Sequence, residues 1–90
     1  MQHKKVTINN SLGLHARPSA KLVELVRQMS SEIKVGHNSS NMCDAHSILE
    51  LLKLQADKGT TLLVSAQGVD EIKAIEDICK LIEFIFILFI

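Results

Sequence analysis

The apolar residues of this chain keep changing their spacing, and those changes limit the available folds more than any other feature. In "KKVTI", Val6 and Ile8 alternate with Lys5 and Thr7, the period of a strand with one buried face. After Pro18 the interval lengthens. Leu22, Leu25, Val26 and Met29 recur at helical steps, with Lys21, Glu24 and Gln28 on the opposite side, which is an amphipathic helix. "SEIKV" alternates again, and "GHNSSN" reads as a turn leading to a short strand around Met42 and Cys43. "SILELLKL" is a second helix, opened by Ser47 with Glu50 three residues on, the capping-box pattern. "TTLLVSAQG" returns to alternation, with Leu62, Val64 and Ala66 on one face. "DEIKAIEDICKLIE" is a third helix, with Asp70 and Glu71 in its first turn, where the dipole favours acids. Its expected inward stripe is Ile72, Ile75, Cys79 and Ile82. The order β-α-β-β-α-β-α predicts an α+β domain of two layers, an antiparallel or mixed sheet with helices packed on one face.

Ninety residues suffice for one domain and one modest core, since a chain of this size buries roughly 60–65% of its unfolded surface. A deep catalytic cleft is not expected. Ten basic and ten acidic side chains cancel, aromatics are 3%, and no stacking platform or basic face suggests nucleic acid. The opening "MQHKKVTINN" has no apolar stretch behind its lysines, so no secretory leader is expected. Cys43 and Cys79 lie far apart and read as reduced thiols of a cytoplasmic protein. His3, His15, His37 and His46 show no ligand spacing, so no metal site is expected.

One stretch carries chemistry, "GLHARPSA", Gly13 to Ala20. Pro18 suits the first turn of a helix, where its missing N–H has no intrahelical partner and its φ is already helical. His15 then sits at or just before the cap, and the amides of Ala16, Arg17 and the following turn point toward its side chain. A helix start is an anion site, and Arg17 adds a positive charge suited to phosphate. An imidazole is substantially neutral at cytoplasmic pH and therefore nucleophilic. Gly13 permits a tight turn that lifts the ring to the surface. On the residues alone two readings stay open: a nucleophile with a phosphate cradle, or a capping histidine beside a solvated arginine.

"LGLHARPSAKLVEL" resembles the active-site signature of the HPr family, the histidine phosphocarriers of the bacterial phosphotransferase system. "DAHSILELLKL" is similar to that family's regulatory-serine helix, and "GTTLLVSAQG" to its last strand, so the resemblance covers residues 2 to 85. It implies an open-faced β-sandwich, a four-stranded antiparallel sheet covered on one face by three helices. It also implies a carrier role: enzyme I, charged by phosphoenolpyruvate, passes a phosphoryl group to Nδ1 of His15, which hands it to an enzyme IIA domain. Arg17 would hold the group together with Ala16 and Pro18. No cofactor of its own is implied, because phosphoenolpyruvate is used by enzyme I. A monomer and a cytoplasmic location are expected. A self-sufficient enzyme is not, as the chain shows no acid–base pair, metal set or nucleotide loop.

Ser47 has two compatible readings. Its hydroxyl caps the second helix, and the resemblance makes it the site of an HPr kinase/phosphorylase, a phosphate at a helix start being electrostatically favourable. A two-turn helix with Ile48, Leu49, Leu51, Leu52 and Leu54 cannot bury every side. The resemblance assigns Ile48, Leu49 and Leu52, with His46 and Arg27, to a partner-docking surface. Glu24, His46 and Glu50 stand where sugar-system relatives often carry basic residues, which weakens steering toward an acidic partner, and "KLVEL" and "LELLKLQADKG" are more similar to nitrogen-branch relatives; the alternatives are thus a nitrogen-branch regulatory carrier, or a non-transport binding module. The run "LIEFIFILFI" ends in an apolar extension at about 86–90, too short to cross a bilayer. Its expected fate is to lengthen the last helix and set Phe84 or Phe86 against the sheet.

Overall fold

The computed structural model describes residues 1–9 and 13–85, the last two of these by backbone alone. Strand β1 is Gln2–Thr7, followed by helix α1, Ala16–Val26, strand β2, Glu32–Asn38, and strand β3, Asn41–Asp44. Helix α2 is Ile48–Lys53, strand β4 is Thr61–Gln67, and helix α3, Glu71–Lys80, runs on into a π-helical turn, Leu81–Ile85. The strands lie in the order β1-β4-β2-β3, and every neighbouring pair is antiparallel. Of the two sheet types the sequence allowed, the antiparallel one forms, with the helices on one face of it.

The register explains the layering. Val6 stands opposite Leu62, Val35 opposite Val64 and Ile33 opposite Ala66, and each of these is at most 2% exposed. Residues directly opposite share a face, so the period-2 pattern of three strands delivers one apolar surface. His3, Lys5, Thr7 and Lys34 fall on the other face and are exposed. Ile8 lies just past β1, fully buried and bonded to the β4 side through Thr60 (2.9 Å) and Gly59 (2.8 Å).

From α1, Leu22, Val23 and Val26 enter the core, while Leu25 and Met29 pack against its rim. From α3 the buried residues are Ala74, Ile75, Ile78 and Cys79, continued by Leu81 and Ile82. Ile72, expected in that stripe, is instead 64% exposed. It lies seven residues before buried Cys79, roughly 20° away round a helix of ~100° per residue, so its exposure comes from its place in the first turn of α3 and not from its angle.

The "GHNSSN" segment also differs from expectation. Strand β2 continues through Asn38, and the turn is confined to Ser39 and Ser40. The register shifts between Gly36 and Asn38, and a Cβ on Gly36 would lie 2.0 Å from the Asn41 carbonyl oxygen. Glycine is there for close strand approach, not to make the turn. Asp70 occupies the N-cap of α3 but does not cap it. Its carboxylate accepts from the Ser31 hydroxyl and from the Ser30 amide at 3.0 Å, clasping the start of α3 to the approach of β2. Those bonds, the Ser31 hydroxyl first, hold the Asp70 carboxyl below the usual aspartate range. The Phe84 side chain and the extension at 86–90 lie outside the described residues.

Candidate functional site: a histidine at a helix start

The approach to His15 is set by Gly13, whose φ of +68° belongs to the left-handed region. The backbone there runs so close to the α2–β4 connection that a Cβ would lie 2.3 Å from the Ala56 carbonyl oxygen. That same oxygen accepts from the Leu14 N–H at 2.7 Å, and the Leu14 side chain is buried. The chain is thus pinned on both sides of the residue before His15.

His15 is the N-cap of α1, with extended backbone (φ −94°, ψ −174°) and a carbonyl that accepts the first intrahelical bond, from the Ser19 N–H at 3.0 Å. Its ring makes no capping hydrogen bond, which removes the reading of His15 as a side-chain cap. The residue is half-buried, and Nε2 is sealed from solvent with no hydrogen-bond partner. The exposure that His15 retains therefore lies elsewhere than at Nε2. The amides of Ala16 and Arg17 precede the first intrahelical bond, and Pro18, at the third helical position, has none to place. Ala16 and Arg17 are exposed, whereas Pro18 is buried and anchors the turn.

Helix α2 packs along α1. Ser47 is its N-cap, and its hydroxyl accepts from the Glu50 amide at 3.3 Å, one half of the capping box read from the sequence. Ile48 and Leu49 are exposed at 37% and 71%, Leu52 is half-buried, and Leu51 is the residue given to the core. An apolar edge on α2 thus stands beside α1. Arg27, the C-cap of α1, lies at the other end of that helix, about 18 Å along the axis from His15 at ~1.5 Å per residue. The structure gathers His15, Ala16, Arg17 and Pro18 into one turn and places His46 to Leu52 on α2, but separates Arg27 from the ring.

Sequence reasoning missed the fixing of His46. Both its amide and its Nδ1 lie 2.9 Å from Asp44 Oδ1. These bonds, the amide first, lower the Asp44 carboxyl from its ordinary value. The signal was the Asp-x-His spacing, since an aspartate side chain readily bonds the backbone two residues on. His37 is likewise engaged, its Nε2 lying 2.7 Å from the Leu54 carbonyl at the end of α2.

Both cysteines are free thiols, Cys79 buried and Cys43 only half so. Burial pushes Cys43 up to about 11 and Cys79 upward as well, so neither is poised as a nucleophile. Among the described residues no cluster of His, Cys, Asp or Glu could hold a metal ion, and no helix is long and apolar enough to cross a membrane.

Comparison with known proteins adds to this geometry. A family profile described as the PTS HPr component phosphorylation site matches residues 2–83. The chain is 35% identical to the phosphocarrier protein NPr of Proteus mirabilis and 39% identical to the phosphocarrier protein HPr of Cupriavidus necator, covering 91% of both chains in each case. The crystal structure of HPr-C-His from Thermoanaerobacter tengcongensis superposes with a TM-score of 0.87 at 36% identity, over 96% of either chain. With matches of this extent, and a histidine at the start of its first helix, the chain belongs to the HPr family of phosphotransferase-system phosphocarriers.

Proposed function

We propose that this protein carries a phosphoryl group on Nδ1 of His15, taking it from phosphorylated enzyme I and giving it to an enzyme IIA domain. The observation that supports this most is the ring itself: Nε2 is sealed in, which leaves Nδ1 as the nitrogen to meet a partner, and the helix start of Ala16 and Arg17 lies beside it. In transfer, the Nδ1 lone pair attacks phosphorus as the bond from phosphorus to the donor nitrogen breaks, its electron pair leaving with the donor. The protein needs little more than position and charge, because such transfers are loose and in line. The amide of Ala16 and the Arg17 guanidinium stabilise the oxygens, and Pro18 fixes the turn that presents them. The carrier needs no cofactor, works as a monomer in the cytoplasm, and is not a self-sufficient enzyme. Partners dock on Ile48, Leu49 and Leu52, with His46 and the more distant Arg27 at the margin. Ser47 is the site of regulatory phosphorylation.

The sugar-uptake branch is the first reading of its place in the phosphotransferase system. A nitrogen-branch role is the second, favoured by the exposed acids Glu24 and Glu50 on α1 and α2, which oppose an acidic partner. A single reconstitution addresses both readings. With enzyme I and phosphoenolpyruvate, wild type should gain a base-stable, acid-labile phosphate that His15→Ala lacks while keeping its circular-dichroism spectrum. Retained labelling in the folded variant overturns the assignment. The faster of the sugar-type and nitrogen-type enzymes I identifies the branch.

A further inference from the structure

Among the described residues, two buried side-chain polar atoms lack a hydrogen-bond partner: Nε2 of His15 and Oγ of Ser19. Their residues are one helical turn apart and already joined by the 3.0 Å bond from the Ser19 N–H to the His15 carbonyl. A buried polar atom left unpaired is costly, and two of them in one turn demand a physical account. That backbone bond brings the two residues together at the start of α1, within the span that an imidazole and a hydroxymethyl group can bridge with an ordinary hydrogen bond. Ser19 is 0% exposed, so solvent does not compete, and rotation about χ1 moves its oxygen between three staggered positions.

The chemistry sets the direction of the bond. Nδ1 can attack phosphorus only with its lone pair available, so the proton of the neutral ring must sit on Nε2. That nitrogen is then a buried donor, and Ser19 Oγ is an acceptor one turn away. The hydroxyl's own proton can turn to the carbonyl one turn back, as serines within helices commonly do.

We propose that Ser19 is a positioning residue whose Oγ accepts a hydrogen bond from Nε2–H of His15, holding the ring in the tautomer with a nucleophilic Nδ1. When the N–P bond forms on Nδ1 and the donor's bond to phosphorus breaks, Nε2 keeps its proton. The positive charge gained by the ring then rests against the hydroxyl oxygen. The onward transfer reverses these changes and returns the neutral Nε2–H ring.

The inference rests on the carrier reading of His15, but its first readout does not require phosphorylation. Nitrogen-15 NMR of the unmodified ring in wild type, Ser19→Ala and Ser19→Thr reports the tautomer, and the initial rate of labelling by phosphorylated enzyme I reports the chemistry. Wild type should show the Nε2–H form in excess. Ser19→Ala should move the tautomer ratio toward Nδ1–H by about three- to tenfold, the worth of one ordinary hydrogen bond, and slow labelling by a similar factor. Ser19→Thr should restore both. An unchanged ratio in a folded Ser19→Ala, a folded Ser19→Thr that restores neither, or a wild-type ring held as Nδ1–H overturns the proposal. If Ser19→Ala does not fold, the wild-type tautomer and the threonine variant decide. If wild type accepts no phosphate, the carrier reading falls, while the tautomer measurement still judges Ser19.

Discussion

Gly13 holds a left-handed φ of +68° beside the Ala56 carbonyl oxygen, and both constraints forbid a side chain there. Gly13→Ala should cost about 1–3 kcal/mol, seen as a lower thermal midpoint, and should slow phosphoryl acceptance because the displaced turn carries His15 with it. An unchanged midpoint would show that the backbone relaxes freely at this point. The glycine was readable in advance, since a turn before a helix start is a local demand met by a local residue. Ser19 was not. In sequence it is a small polar residue in a helical run, and only the fold shows its hydroxyl buried and unpartnered in the same turn as Nε2. The Asp44–His46 pair falls between these cases, visible as a spacing but without weight until the 2.9 Å bonds were seen.

Helices and strands were legible where one face is buried. Leu62, Val64 and Ala66 alternate because β4 is flanked by two strands and covered on a single side. The pattern misled where burial departs from it, as at Ile72, which has the right residue type and angle but stands in the exposed first turn of α3. Gly36, His37 and Asn38 read as a turn by composition, yet the strand continues through them because β3 needs close approach, not reversal, at Gly36. Helix α2 provides a test at its own scale. Six residues make a marginal helix, and Ser47 supplies its cap through a 3.3 Å bond to the Glu50 amide. Ser47→Ala should lower stability by about 0.5–1 kcal/mol in chemical denaturation, with little change in the slope of the transition. Treatment with HPr kinase/phosphorylase and ATP should add one phosphate to wild type and none to that variant, by mass spectrometry. A wild type that takes none leaves Ser47 a cap alone.

Over the whole molecule, stability depends on ties that no local pattern announces. Asp70 reaches Ser30 and Ser31 across some forty positions of sequence, which periodicity cannot encode. Its carboxyl is depressed by those bonds, the Ser31 hydroxyl first. A carboxylate lowered on folding stabilises above its unfolded value, ~3.9 for aspartate, and loses that contribution as pH falls through the folded value. Asp70→Asn should therefore melt below wild type at pH 7, and the two midpoints should converge as the solution is acidified below about pH 4. Parallel curves at every pH would remove the clasp from the account.

The one-sided layering of the sheet has a kinetic meaning. His15, Arg17 and Leu49 all belong to the helical layer, while the far side of the sheet is bare. On the docking proposed above, a shuttle with a single landing side is not gripped by giver and receiver together. Each handover must end in departure before the next visitor arrives, so throughput is limited by the slower of two releases, and a tighter grip on either one makes a poorer courier.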